Sequence, residues 1–268
     1  MPALKHGDLV MLWSPKKGDS YLVRLTPKAS QSTHLGILRH DDLAGLCYGD
    51  PVLSNTGKIF FLLKPSMGEY MRRIRRQTQI VFPKEAGYIL LHLSIFPGAR
   101  IVECGSGSGS LTTFFASMVG TEGRVFSYDR RPDFSALAQA NCERWGVADR
   151  VEFKVRDIGE EGFDESGADA VFLDVQAPED YLQQARLALA PGRQLGLIVP
   201  TTNQLERLIP ALQAESFVNI EILELFLRRY KATAARLRPE DVMVGHTGFL
   251  VFATLVRGQA EVAESGDE

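Results

Sequence analysis

The stretch Ile101–Leu111, IVECGSGSGSL, joins an apolar run to three glycines at alternate positions. A strand that ends in a glycine-rich loop before a helix is typical of nucleotide-binding α/β domains. The dinucleotide fingerprint has the spacing GxGxxG, whereas Gly105, Gly107 and Gly109 have the spacing GxGxG. Glu103 precedes the loop, and a carboxylate there would repel a pyrophosphate. The stretch therefore favours a ligand with a cationic centre and an ammonium group, such as S-adenosylmethionine (SAM).

Acidic residues end the next three apolar runs of the chain. Asp129 ends GRVFSYD, Asp157 ends VEFKVRD and Asp174 ends ADAVFLD. In an open α/β sheet, ligands bind at the carboxyl ends of the strands, so we expect these acids around one site. Asp129 is placed to accept hydrogen bonds from ribose hydroxyls, and Asp157 to reach the adenine amine. The alternative is a plain turn with the acids as helix N-caps, but their common register with the loop favours SAM.

Strand, loop and helix alternate from Arg100 onward, which predicts a mostly parallel, doubly wound sheet. The runs VNIEILELFLRRY and HTGFLVFATLV follow one another without a crossover helix, so one of these two strands is expected to be antiparallel. Short apolar runs with turn residues between them predict a small β-rich domain over residues 1–65. The fold class is α/β: this small domain precedes a Rossmann-like SAM-dependent methyltransferase domain over 66–257, in which 66–99 form a connector and a first helix. Residues 258–268 are acidic, lack large apolar side chains and are expected to be disordered.

Composition excludes several classes of protein. Hydrophobic residues make up 45% of the chain and charged residues 24%, and no apolar run approaches the roughly 20 residues of a membrane helix. The N-terminus has no signal-peptide core, so we expect a cytoplasmic protein without a membrane partner. The three cysteines have no metal-ligand spacing, and we interpret Cys104 as a buried structural thiol.

Charge is distributed unevenly along the chain. Residues 1–100 contain 14 Lys and Arg against 7 Asp and Glu, whereas residues 101–268 contain 16 against 26. A basic first part beside an acidic remainder is consistent with a polyanionic partner held by one part only. Chance unevenness on a solvated surface is the alternative.

Six segments in order resemble the tRNA (adenine-58-N1)-methyltransferase family, whose members methylate N1 of an adenosine in the tRNA T-loop. They are RRQTQIVFPKEAGYIL, VECGSGSGSLT, RVFSYDRRPDF, AVFLDVQAP, PTTNQ and RPEDVMVGHTGFLV. The combination of TQIVFPKEA with GHTGFLV is the most specific. The resemblance implies SAM as cofactor, tRNA as substrate, no metal, and assembly into a homotetramer. It also implies that Asp174 is the catalytic aspartate, close to both the methyl donor and the target base.

The resemblance further implies a set of contact residues. The SAM contacts, beside Asp174 itself, are Gln79, Glu103, Gly105, Ser106, Gly107, Ser108, Gly109, Ser110, Leu111, Asp129, Arg130, Phe134, Asp157 and Ile158. The substrate contacts are Phe82, Gln204 and His246. Independently of the resemblance, the arginine run directly before the presumed pocket, Arg72, Arg73, Arg75 and Arg76, is suited to tRNA phosphates. For the arginines, phosphate contact competes with a solvated face or an intersubunit ion-pair cluster. For His246, a structural hydrogen bond is the alternative.

Two departures from the family pattern concern the acceptor. Phe82 stands where TQIVYP has tyrosine, so a ring for stacking remains but its hydroxyl is missing. The tryptophan of LDLPxPW has no counterpart in Val175–Glu179. These departures concern the positioning and identity of the substrate base. A SAM enzyme with a small-molecule or protein-carboxylate acceptor is one alternative, since isoaspartyl methyltransferases have related glycine loops. A non-catalytic tRNA-binding subunit is another, although such a subunit would be expected to have lost the SAM loop.

Overall fold

The computed structural model describes residues 2–15 and 18–258, so all of the expected acidic tail except Gly258 lies outside the described residues. The chain forms two compact units, Met1–Arg73 and Ile74–Glu268. The sequence predicts a boundary after residue 65. The first unit of the structure continues to Arg73 and so includes the helix Met67–Arg73.

The first unit is built from short antiparallel strands. Four strands form a sheet in the order β2-β1-β6-β5, and β3 pairs with β4 as a separate hairpin. The elements described in this unit are β1 (Leu9–Trp13), β2 (Ser20–Arg24), β3 (Ser30–Thr33), β4 (Gly36–Arg39), α1 (His40–Leu43), β5 (Pro51–Leu53), β6 (Ile59–Leu63) and α2 (Met67–Arg73). The expected small β-domain is therefore present.

A leucine-rich core holds the first unit together. Alternate residues of the strands point inward, and Val10, Leu12, Phe60 and Leu62 are each 0% exposed. The segment DDLAGLCYGDP has the Gly, Asp and Pro residues of a turn, yet its first residues belong to α1, whose Leu43 completes this core. A single buried leucine among polar residues is too short a pattern to predict a helix.

The second unit alternates strands and helices as expected. Its described elements are α3 (Pro83–His92), β7 (Arg100–Cys104), α4 (Ser110–Met118), β8 (Arg124–Asp129), α5 (Pro132–Trp145), β9 (Val151–Val155), α6 (Ile158–Glu161), β10 (Ala168–Leu173), α7 (Leu182–Ala188), β11 (Leu189–Val199), α8 (Thr202–Ala214), β12 (Phe217–Leu223) and β13 (Phe249–Leu255). Proline at the first helical position begins α3 and α5, since its missing N–H is not needed there.

The seven strands pair in the order β12-β13-β11-β10-β7-β8-β9. The first five strands of this unit run parallel, while β13 is antiparallel to both β11 and β12. The dinucleotide-binding order places the sixth strand directly beside the fifth. Here the last strand is inserted between them, which confirms one antiparallel strand at the end of the chain.

The expected long strand over VNIEILELFLRRY is wrong in length. β12 ends at Leu223, where its pairing with β13 reaches Leu250 and stops. Beyond that point Phe226 and Leu227 are 65% and 49% exposed, without a strand beside them among the described residues. An apolar run predicts a strand, but without a hydrogen-bonding neighbour the backbone has no ladder to join.

Gly109 allows α4 and α5 to pack closely. Its φ is +73°, and a Cβ atom there would lie 2.6 Å from the Cα of Ala138. Gly109→Ala should lower the free energy of unfolding by about 2 to 4 kcal/mol, because it adds backbone strain to a steric clash. Urea denaturation would measure the loss.

Gly87→Ala is the matched control. Gly87 lies inside α3, and a Cβ atom there meets no atom within 4 Å. Alanine should therefore raise the free energy of unfolding by about 0.5 to 1 kcal/mol. Equal effects at the two positions would contradict a packing role for Gly109.

Candidate active site

The glycine loop after β7 crosses the end of β10 at very short range. A Cβ atom on Gly105 would lie 2.1 Å from the backbone oxygen of Asp174, and the φ of Gly105 is +95°. The N–H of Asp174 in turn donates to the carbonyl of Cys104 at 2.8 Å. Only glycine fits this approach, which brings the loop and the acid at the end of β10 together.

Two adjoining cavities open along this edge of the sheet. One, of about 270 Å³, is lined by residues of the loop and of the segment before α3. The other, of about 400 Å³, is lined by the ends of β8, β9 and β10 and by the segments that follow them. Gly105, Asp129, Arg131 and Asp174 line both. The strand ends therefore meet as the sequence predicts.

Twelve of the fifteen expected SAM contacts line one or both cavities. They are Gln79, Gly105, Ser106, Gly107, Ser108, Ser110, Leu111, Asp129, Arg130, Asp157, Ile158 and Asp174. Glu103, Gly109 and Phe134 are not among the lining residues, and their direct contact with SAM stays a prediction. Gly109 instead packs on Ala138, and Phe134 lies beneath the guanidinium of Arg131, 3.5 Å from its ring centroid.

Glu103 forms the centre of a buried network beneath the loop. It is 1% exposed, and its Oε2 accepts hydrogen bonds from Thr112 and Ser127 at 2.6 Å each. Ser127 also lies 2.7 Å, oxygen to oxygen, from Ser106 in the loop. Burial raises the pKa of Glu103 to about 7, although the two hydroxyl donors oppose the shift. The network joins β7, β8, α4 and the loop.

Asp129 is held in place by the backbone. Its two oxygens accept from the N–H of Gly107 at 3.1 Å and of Arg131 at 3.0 Å. A carboxylate oxygen has two acceptor positions, so each still has one for a ligand hydroxyl. Asp157 caps α6 by accepting from Gly159, and Arg130 lies 3.9 Å from it. Both acids are thus fixed before a ligand binds.

Asp174 lies where the two cavities meet. Its side chain is exposed to the cavity, and the surrounding protein raises its pKa to about 6, with a further contribution from the charge of Asp129. Cys104, directly below, is 6% exposed, and burial raises the pKa of its thiol. The carboxylate is therefore the group available for chemistry here.

A second buried network joins two motifs that are distant in sequence. Lys84 and Glu85 of the FPKEA segment form an ion pair, and both bond the hydroxyl of Thr247 in GHTGFLV. Lys84 also donates to the carbonyl of Leu225 at 2.7 Å. The adjacent His246 lies 2.8 Å from the carbonyl of Pro200 and 2.6 Å from Glu224. The segments that resemble the family are thus bonded to one another.

The expected substrate contacts lie outside both cavities. Phe82 is partly buried at the start of α3, and His246 makes the structural bonds just described. Gln204 is buried in the first turn of α8. Arg75 and Arg76 are exposed in the segment before α3, whereas Arg72 and Arg73 belong to α2 in the other unit. Contact of these residues with a substrate stays a prediction.

Several residues of the site were not expected from the sequence. Arg131, Tyr181, Thr78 and Ile80 line the cavities, and Asn141 donates to the carbonyls of Ser108 and Arg75. For Arg131, and for Ser127 in the network beneath the loop, the sequence itself contains an indication of a role in the site. Arg131 follows the expected ribose ligand Asp129, and Ser127 is a polar residue inside an apolar strand, where a hydroxyl needs a partner.

Two negative observations complete the description of the site. Over residues 2–15 and 18–258, no group of three or more His, Cys, Asp or Glu side chains is arranged to hold a metal ion. Within the same residues, no helix combines the length and apolar character needed to cross a membrane.

The strand order, the GxGxG loop and the acids at the strand ends define a Rossmann-like methyltransferase domain. A family model described as the tRNA methyltransferase complex GCD14 subunit matches residues 58–244, and one described as TrmI-like N-terminal matches residues 3–50. The chain belongs to this tRNA methyltransferase family.

Three relatives illustrate the similarity. The tRNA (adenine(58)-N(1))-methyltransferase TrmI of Thermus thermophilus is 32% identical over 90% of this chain and 94% of its own. The solved structure of tRNA (m1A58) methyltransferase TrmI from Aquifex aeolicus has a TM-score of 0.84 and 30% identity over 96% of this chain and 100% of that one. A solved SAM-dependent O-methyltransferase from Thermotoga maritima has a TM-score of 0.91 and 39% identity over 97% of both chains. The names of the two solved structures differ in the acceptor atom.

The buried Glu103 predicts a pH dependence of stability. Its folded pKa of about 7 exceeds the ordinary value of 4.5, so the native state keeps a proton that the unfolded chain releases. The free energy of unfolding should therefore fall as pH rises from about 4.5 to about 7, by about 3 kcal/mol from this group. Denaturant unfolding of the wild type and Glu103→Gln across this range would isolate the effect.

The glutamine variant keeps an oxygen to accept from Thr112 and Ser127 but does not titrate. Its stability should rise relative to the wild type between pH 5 and pH 8. If the two pH profiles stayed parallel, Glu103 would not be protonated in the native state near neutral pH.

Proposed function

We propose that this protein is a SAM-dependent methyltransferase that methylates N1 of adenosine 58 in the T-loop of tRNA. Membership of the tRNA methyltransferase family and the TrmI names of close relatives support the substrate. The observation that best supports the reaction is the close approach of Gly105 to the backbone of Asp174, because Asp174 then lies beside the cofactor loop. A homotetramer and a cytoplasmic location stay predictions from the sequence.

The residues of the cavity fit SAM. Gly107 has no side chain, so its backbone lies open toward the segment before α3, with Thr78 as the nearest group. Asp129 keeps free acceptor positions suited to ribose hydroxyls. Asp129 and Asp174 together give the cavity negative character, which suits a ligand with a sulfonium and an ammonium group. A pyrophosphate would meet repulsion from the same acids.

When bound, SAM supplies an electrophilic methyl group for an in-line displacement. The residues of this chain have to hold adenine N1 against it, and such positioning provides much of the rate. Adenine N1 has a lone pair and needs no general base. The target base must leave its stack to enter the cavity, where the protein holds it by stacking and edge hydrogen bonds.

Asp174 has the electrostatic role. Methylation at N1 leaves positive charge on the adenine ring, and an ionised carboxylate that accepts from the exocyclic amine stabilises that charge. The amine also orients N1 through the same bond. Because the pKa of Asp174 is raised to about 6, the carboxylate is ionised near neutral pH but is protonated in mild acid.

An oxygen acceptor is the second candidate. The name of the Thermotoga maritima structure favours it. The matched family model and the joined FPKEA and GHTGFLV segments favour tRNA. A non-catalytic subunit is disfavoured, since the loop and the acids at the strand ends are all present.

The deciding experiment uses labelled SAM and a tRNA transcript that carries no modification. After incubation the tRNA is digested to nucleosides, and label is expected in 1-methyladenosine. A transcript with guanosine at position 58 is the control and should stay unlabelled. Label in another nucleoside, in protein carboxylates, or nowhere would overturn the proposal.

Asp174→Asn should lower kcat by about 100-fold or more, because the amide keeps the shape but loses the charge. SAM affinity should fall by no more than about tenfold, since the loop and Asp129 remain. In the wild type, kcat/KM should rise with pH up to about 6, the pKa of Asp174, and then level off. The variant should lack this rise. Turnover of Asp174→Asn within a few-fold of the wild type would remove Asp174 from the reaction.

Arg75 and Arg76 are expected to contact tRNA phosphates. Arg75→Gln and Arg76→Gln should each weaken tRNA binding and reduce the slope of log affinity against log salt by about 0.7 to 0.9. Arg257→Gln is the control, because Arg257 follows the antiparallel β13 and is exposed at the opposite edge of the sheet. Filter binding at several salt concentrations measures all three. Identical slopes for Arg76→Gln and Arg257→Gln would contradict the phosphate role.

A further inference from the structure

Gln204 bonds the start of α8 to the segment that follows Asp174. The side chain is buried, and its Oε1 accepts from the N–H of Thr201 at 3.2 Å and from the Thr201 hydroxyl at 2.8 Å. Its Nε2 donates to the carbonyl of Gln176 at 2.8 Å. One amide therefore satisfies a helix start and a loop carbonyl at the same time.

The orientation of this amide follows from its partners. The N–H of Thr201 can only donate, and the carbonyl of Gln176 can only accept. A rotated amide would place its nitrogen against a donor and its oxygen against an acceptor. Both bonds would then be lost in a buried place, which is costly. The donor of Gln204 therefore points toward the loop.

The loop held in this way is irregular between two anchored ends. Val175 packs against the hydrophobic core, and the carbonyl of Ala177 accepts from the N–H of Asp180 at 3.2 Å. Asp174 is the last residue tied to the sheet backbone, through Cys104, and Val175–Ala177 form neither helix nor strand. A second bond from the same face of α8 follows one turn later, where Arg207 donates to Glu179 at 2.6 Å. Side chains of α8 thus hold the segment next to Asp174, which also lines the larger cavity.

We propose that Gln204 is a positioning residue for methyl transfer. Through the Gln176 carbonyl it fixes the backbone that follows Asp174, and so the direction of the Asp174 carboxylate. In this role it acts through the Gln176 carbonyl, and its direct contact with a substrate stays a prediction from the sequence. The expected effect of Gln204 on the rate of methylation rests on the proposed function. Its expected effect on the order of the loop does not.

Gln204→Glu removes the donor to Gln176 and keeps an acceptor for Thr201, while Gln204→Met removes the donor without adding charge. Thr201→Ala is the matched control, because it removes one donor to Gln204 but leaves the bond to Gln176. Amide hydrogen exchange of residues 174–178, in which residues 174–177 report because Pro178 has no N–H, is measured first, in the full chain without SAM or tRNA. Single-turnover methylation of tRNA at saturating SAM follows.

Both Gln204 variants should speed exchange of residues 174–178 by about fivefold or more, with β11 unchanged. They should slow single-turnover methylation by about tenfold. Thr201→Ala should stay within about twofold of the wild type in both measurements. In an Asp174→Asn background, Gln204→Met should add less than about twofold, because both act through one carboxylate.

Three results would overturn the proposal. One is unchanged exchange of residues 174–178, and another is a full tenfold further loss in the Asp174→Asn background. The third is an equal loss in Thr201→Ala. If the wild type failed to methylate tRNA, the proposed function would fall, while the exchange measurement would still decide whether Gln204 holds the loop.

Discussion

The site depends on the close approach of two backbones. Gly105 and Asp174 directly follow the adjacent strands β7 and β10, and a single methyl group on Gly105 would collide with the Asp174 carbonyl. Because the approach is made by backbone, it fixes the distance between the loop and the acid more firmly than flexible side chains could. A cofactor held by the loop and an acceptor held by Asp174 would therefore meet at a set separation, as positioning catalysis requires.

The same approach gathers negative charge, which has an energetic cost. Glu103, Asp129 and Asp174 lie near one another. Burial raises the pKa of Glu103 to about 7, the surrounding protein raises that of Asp174 to about 6, and repulsion between the acids adds to both shifts. Such a cluster destabilises the free protein as it ionises, and a cationic ligand offsets the repulsion. The site is thus arranged in advance for positive charge, both in a sulfonium donor and in a methylated base.

The parts that the sequence predicted are those built into the sheet. Parallel strands bring their carboxyl ends to one edge whatever the side chains are, so the loop, Asp129, Asp157 and Asp174 could be placed from their positions in the chain. The partners of Glu103 could not, because Thr112 and Ser127 are reached only through the packing of α4 and β8. The end of β12 could not be predicted either, because the point at which its pairing with β13 stops depends on tertiary structure. The role of Gln204 depends likewise on a bond to a loop 28 residues away.

This division bears on how the acceptor is chosen. The proposed donor side consists of backbone and strand-end acids, whereas the proposed acceptor side consists of loops held by side-chain bonds. Lys84, Glu85 and Thr247 join two such segments, and Gln204 holds a third. Small changes in those loops, such as phenylalanine at position 82, can alter the acceptor without disturbing the sheet. The acceptor is therefore best sought in the side chains that hold the loops, and the donor in the strand order.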